Sequence, residues 1–235
     1  MQRFNHDDLK QFLKHYPRMT IRPSQSASLI LEGIFDFSAQ PKGKPEITDF
    51  YQLKILVPNQ FPRNIPVVTE TGQKIPRIGD YHVNYETDNS LCLGSPLRLI
   101  LLIRRKPSLV EFAENCLVPY LYAVSNKLQN GGKFTFGELE HGTPGILDDY
   151  KNLFGLRGRG HVVQMLKLLS IERRYANQLV CPCGCRKKLK QCRFHKIINA
   201  YRKIATISWY KVHAESLGID TNNINELRKV KFRRR

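Results

Sequence analysis

The chain contains no run of about 18 or more apolar residues, so no segment reads as a membrane-spanning helix. Its longest apolar patch, LRLILLI at 97–103, is far shorter and runs directly into Arg104, Arg105 and Lys106. The opening MQRFNHDDLK lacks the apolar core of a secretory signal. The expectation is a cytoplasmic protein, in a compartment where thiols stay reduced. Its six cysteines are then candidates for metal binding, catalysis or packing rather than disulfides. No glycine-rich phosphate loop or dinucleotide fingerprint occurs, so the chain is not expected to adenylate a substrate itself. Internal repeats are absent as well. Acidic residues are scarce towards the C-terminus. Residues 1–150 carry 17 Lys/Arg and 16 Asp/Glu, whereas residues 151–235 carry 21 Lys/Arg and 4 Asp/Glu. Nearly all of the formal charge of +18 therefore lies in the last 85 residues. That asymmetry implies two functional parts, the second facing nucleic acid or an acidic protein surface; a merely solubilising basic face is the plainer alternative.

What is present is enough to fold. A hydrophobic fraction of 41% and an aromatic fraction of 10% support a core and argue against global disorder. Residues 5–15 read as an amphipathic helix capped by Asn5, with Leu9, Phe12 and Leu13 on one face and Pro17 behind it. SLILEGIFDF (28–37), ITDFYQLKILVP (47–58) and IPVVTET (65–71) read as strands of an antiparallel meander. The stretch 72–96 holds Gly72, Pro76, Gly79, Gly94 and Pro96, lacks periodicity and is expected to be irregular. A helix follows over 107–128, with Ser108 as cap, Glu111 as its capping-box partner and Cys116 in the apolar face. A glycine-rich connector (129–145) and a short helix around ILDDYKNLFGL lead to helices at 161–179 and 196–216 and a basic tail, KFRRR. The expected division is 1–150, 151–220 and a tail at 221–235.

Between those last two helices lies CPCGCRKKLKQCRFH, with Cys181, Cys183, Cys185, Cys192 and His195 within fifteen residues. Structural zinc takes four thiolate or imidazole ligands arranged tetrahedrally, and this spacing can supply them. The run resembles the SEC-C metal-binding motif in its CPCG, its KK and the eight-residue gap to Cys192. It departs where Cys185 replaces the motif's serine and Arg193 follows Cys192. The expected zinc ligands are Cys181, Cys183, Cys192 and His195, with Cys185 as the alternative to His195. Bound zinc would supply folding free energy to a segment with little core.

One further cysteine, Cys92, sits in YHVNYETDNSLCLGSP (81–96). Residue type alone leaves it a core residue, a metal ligand or a nucleophile. The arrangement around it resembles the ubiquitin-conjugating-enzyme (E2-like) fold. The resemblance covers residues 1–130 and rests on Phe61-Pro62…Pro66, on His82-Val83-Asn84, and on Asp88-Asn89-Ser90-Leu91-Cys92-Leu93, with eight residues from Asn84 to Cys92. Val83 replaces the family's proline, extra residues lie near 71–79, and the tryptophan common after the cysteine is missing; the single tryptophan is Trp209. The resemblance implies an α+β fold with a C-terminal helical zinc-binding extension. It implies Cys92 as a thioester-forming nucleophile, Asn84 as oxyanion or loop stabiliser, and His82 as mainly structural, with Asp80, Asp88 and His141 as possible proton acceptors. The setting it implies is a short type II cyclic-oligonucleotide antiphage (CBASS) operon. There the partner is a cGAS-like nucleotidyltransferase (CD-NTase) whose C-terminus is conjugated.

Overall fold

The computed structural model describes residues 5–24, 28–132, 134 and 142–222. Two units are built separately, Met1–Glu138 and Leu139–Arg235. In the first, helix α1 (His6–His15) begins where the Asn5 side chain accepts the N–H groups of Asp7 and Asp8, at 3.0 and 3.4 Å. It buries Leu9 and Phe12. Strands β1 (Met19–Arg22), β2 (Leu29–Ala39), β3 (Ile47–Val57) and β4 (Val67–Glu70) form one antiparallel sheet in the order β1-β2-β3-β4. The period of two is clearest in β3: Tyr51, Leu53, Ile55 and Val57 are buried and the residues between them exposed. Strand β1 was not expected. It is four residues long with only Met19 buried, so it carries no alternation to read.

The apolar run at 97–103 is helix α2 (Pro96–Ile103), with proline in its first turn. A continuous apolar run does not by itself distinguish a strand from a buried helix. The helix expected at 107–128 is real but interrupted. Helix α3 (Leu109–Phe112) passes through a π turn, Ala113–Leu117, into α4 (Val118–Asn130). Pro119 explains the turn: without an N–H it cannot bond the carbonyl of Asn115 in α-helical register. Ser108 caps as expected, its Oγ accepting the N–H of Glu111 at 3.1 Å. Cys116 is buried among Phe12, Leu117 and Leu121, and burial pushes its thiol up to about 12.

The residues after β4 close around one carboxylate. Glu70 is buried, and its side-chain oxygens accept the N–H groups of Lys74 (3.3 Å) and Ile75 (3.5 Å) and Nη2 of Arg77 (3.2 Å). A Cβ on Gly72 would lie 2.8 Å from Glu70 Oε1, so the loop needs glycine there. Removing one partner of a buried, hydrogen-bonded pair costs about 3–5 kcal/mol. The Arg18–Asp36 pair, with both side chains 48% exposed, is screened by solvent and contributes little. The first of these, not the second, holds the unit's shape.

In the second unit, helix α5 (Gly142–Phe154) precedes α6 (Arg159–Leu169), α7 (Arg173–Ala176), α8 (His195–Tyr201) and α9 (Ile207–Ser216). Residue 150, the expected boundary, lies inside α5. The single helices expected at 161–179 and 196–216 are each two. The first stops where Ser170 turns its hydroxyl back to the Leu166 carbonyl (2.8 Å) and Arg202 bonds the carbonyls of Leu168 (2.6 Å) and Ile171 (2.8 Å). The second stops where Tyr210 bonds the Tyr201 carbonyl (2.8 Å) and Thr206 caps a new helix by accepting the N–H of Trp209. Of the expected tail at 221–235, residues 223–235 lie outside the described residues. Among the described residues no helix is long and apolar enough to cross a membrane.

One buried group gives this unit a pH dependence. His213 Nε2 lies 2.7 Å from the Tyr150 hydroxyl, beneath the ring of Trp209, and burial pushes the imidazole down to about 4. An ordinary histidine titrates near about 6.5. Above that value His213 is neutral whether folded or not, and its contribution to stability is complete. As pH falls from about 6.5 towards 4, the unfolded chain takes up a proton that the folded chain refuses, and stability is lost. Denaturation followed by Trp209 fluorescence is expected to show this loss in the wild type. His213→Phe should flatten that part of the profile; a difference profile without slope there would contradict the assignment.

Candidate functional site

Cys92 is sewn in on both sides. The N–H of Leu91 bonds the Val68 carbonyl in β4 at 2.7 Å, and Ser90 bridges to Thr69. On the other side, Leu91 bridges to Val83, and the N–H of Cys92 bonds the His82 carbonyl at 2.8 Å. The chain then turns through Gly94, at φ +142°, into α2. These ties leave the thiol exposed. It is open on one side and crowded by protein on the other. Crowding pushes its pKa up, and the N–H of Gly94 at the head of α2 opposes the rise. The thiol is therefore a protonated group at neutral pH.

His82 acts through its backbone. It adopts the left-handed conformation (φ +52°), which aims its carbonyl at Cys92, while its ring packs edge-on against Phe134 at 4.7 Å. Asn84 closes the turn that presents the cysteine. Its Nδ2 donates to Ser90 Oγ at 2.9 Å, and its carbonyl accepts the N–H groups of Thr87 and Asn89. Of the two roles expected for Asn84, this geometry serves loop stabilisation. Asp88 belongs to the same turn: Ser90 holds its carboxyl below the usual range, making it a weak base. Asp80 is exposed, and its backbone carbonyl accepts Lys127 Nζ at 2.8 Å. His141 lies outside the described residues.

Tyr120 was not legible in the sequence as part of this site. It lies in α4, where it reads as ordinary helix core, yet its hydroxyl donates to the Tyr81 carbonyl at 2.8 Å. Burial, followed by the charge of Cys92, pushes that phenol up. Lys127, further along α4, lies 5.0 Å over the Tyr81 ring. Helix α4 thus pins the short turn Gly79–Tyr81 directly ahead of the carbonyl that fixes Cys92.

A second site lies in the other unit. The Sγ atoms of Cys181, Cys183, Cys185 and Cys192 all fall within 4.8 Å of one another. Cys181 and Cys183 are 3.2 Å apart, and Cys183 and Cys192 3.6 Å. A zinc–sulfur bond of about 2.3 Å implies tetrahedral sulfurs about 3.8 Å apart, so the donor set fits zinc. The fourth member is Cys185, not His195. His195 instead donates Nδ1–H to the Cys192 carbonyl at 2.7 Å, so it steadies a ligand's backbone rather than joining the sulfurs. His161 of α6, which the sequence did not single out, does the same for the Pro182 carbonyl at 2.6 Å. Its ring lies so close to Gly184 (φ +84°) that a Cβ there would meet Cε1 at 2.9 Å. Burial pushes the Cys181 thiol up. Burial also opposes ionisation of Cys192, but the Phe194 N–H and the neighbouring thiols outweigh it and hold that group below the usual range.

Two outcomes are expected. In the native, metal-loaded protein, iodoacetamide should modify Cys92 and spare Cys116, with a rate midpoint above that of a free cysteine, near about 8.5; a midpoint below it would contradict the crowded environment. Metal analysis should find one zinc per chain, lost in Cys185→Ser and retained in His195→Ala; the reverse pattern would restore His195 as ligand. Comparisons with protein-family models, curated proteins and solved structures found nothing that matches this chain.

Proposed function

We propose that the first unit is a thioester carrier of the ubiquitin-conjugating type, with Cys92 as its acceptor. The observation that carries this reading is an exposed thiol, eight residues after Asn84, held at the end of a helix-and-meander framework by a backbone bond to His82. A carrier needs a sulfur that is reachable, held in place, and not committed to a metal or to the core. Cys92 meets these conditions and Cys116 does not.

The chemistry is acyl exchange. A partner protein's C-terminal carboxyl arrives as a thioester on an activating protein. Cys92 Sγ gives up its proton to solvent base and attacks the carbonyl carbon; the donor sulfur leaves and is reprotonated. An incoming amine then attacks the new thioester, Cys92 leaves as the thiol, and an amide remains. Asn84 keeps the 84–90 turn closed throughout, and His82 and Tyr120 keep the thiol in register. The resemblance names the partner as a cGAS-like nucleotidyltransferase in antiphage defence. In the second unit, zinc on four cysteines would hold the knuckle together.

A second reading has its own support. Lys187, Lys188, Lys190, Arg193 and Lys196 are all exposed around the thiol cluster. Such a surface suits a nucleic-acid-binding or adaptor protein in which the first unit is an inert scaffold. Co-expression with the nucleotidyltransferase and its neighbours, followed by intact-mass analysis, separates the two. The carrier reading expects an adduct on the wild type that thiol reductant removes, no adduct on Cys92→Ala, and a reductant-resistant ester on Cys92→Ser. Full biological activity of Cys92→Ala would overturn the carrier reading and leave the second.

A further inference from the structure

The two helix interruptions in the second unit line a cavity of about 470 Å³. That lies within the roughly 300–1,000 Å³ common for small-molecule sites. Leu169 from the end of α6, with Ala205 and Ile207 from the break between α8 and α9, make its apolar surface. Ile207 is 41% exposed, large for an isoleucine with no other role. Charge gathers on the same wall. Arg173, Arg174 and Arg202 line it together with the carboxylate of Glu172. Glu172 is taken by Arg174 at 2.7 Å, which leaves Arg173 and Arg202 without a carboxylate among the lining groups.

Arg202 is not a mobile surface cation. Its Nη1 and Nη2 are fixed on the Ile171 and Leu168 carbonyls, and its Nε is buried without a partner. Arg173 is close enough to oppose its charge. Two guanidinium groups without a lining carboxylate, close enough to oppose each other beside apolar side chains, suit a doubly negative group with an apolar body. Arginine meets phosphate with planar, directed donors, which makes phosphate the better match. A concave cavity suits a compact molecule rather than a polymer strand, which needs a cationic track. We propose that this cavity binds an organic phosphate monoester, with its phosphate at Arg173 and Arg202 and its apolar group on Leu169, Ala205 and Ile207. The proposal does not depend on Cys92 or on the thioester reading.

Calorimetric titration of the full-length, zinc-loaded protein tests it with phenyl phosphate, and with phenol and inorganic phosphate as its halves. Saturable binding of one phenyl phosphate is expected, tighter than either half by about tenfold or more. Arg173→Ala and Ile207→Ser, both at exposed positions, should each weaken it by roughly tenfold at unchanged Tm. Absence of saturable phenyl phosphate binding overturns the proposal. So does binding no tighter than inorganic phosphate and indifferent to both variants. Binding of oligothymidylate that ignores Arg173→Ala, with no binding of phenyl phosphate, overturns it in favour of a nucleic-acid surface.

Discussion

The first unit depends on one backbone hydrogen bond, from the N–H of Cys92 to the carbonyl of His82. A carbonyl can aim at that N–H only because residue 82 adopts a left-handed conformation, which costs a non-glycine residue free energy. The surroundings offset the cost. The Tyr120 hydroxyl holds the preceding carbonyl, Lys127 the one before it, and Phe134 covers the imidazole. On the other side Leu91 is tied to β4. The thiol's position is thus set chiefly by main-chain bonds and helix α4, with the Gly94 N–H beside the sulfur.

The second unit solves a different problem. It is strongly basic, yet helices end in partly negative carbonyl groups that need donors. Tyr201 donates to the Leu153 carbonyl, Tyr210 to that of Tyr201, and Arg202 to those of Leu168 and Ile171. Long side chains with polar tips thereby pack the unit with their bodies and cap its helices with their ends. The cysteine cluster is treated similarly: His161 and His195 bond carbonyls of that segment and so pre-shape it.

Period-two burial made β3 visible in the sequence, and caps made α1 and α3 visible through Asn5 and Ser108. The cysteine spacing made the thiol cluster visible, except for its fourth member. Cys185 and His195 were equally compatible with that spacing, and only the turn at Gly184 decides which side chain arrives. What escaped shares a cause. β1 is too short to show alternation, Tyr120 does its work through a hydroxyl on an otherwise apolar face, and the breaks after Leu169 and Tyr201 are imposed by Arg202, Tyr210 and Thr206. Arg202 acts from 31 residues away on Ile171. Local sequence carries periodicity and capping; it does not carry a donor delivered from another helix.

The carboxylate of Glu70 has a consequence for how this chain can vary. The loop it gathers leaves the sheet at Thr71, and Glu70 with Arg77 ties its interior, while Lys74 anchors it to Asp49 and the Phe50 carbonyl. The pairing of Thr69 with Ser90 bypasses it. Between those anchors the loop can therefore change length while β4 ahead of it and Cys92 behind it keep their alignment.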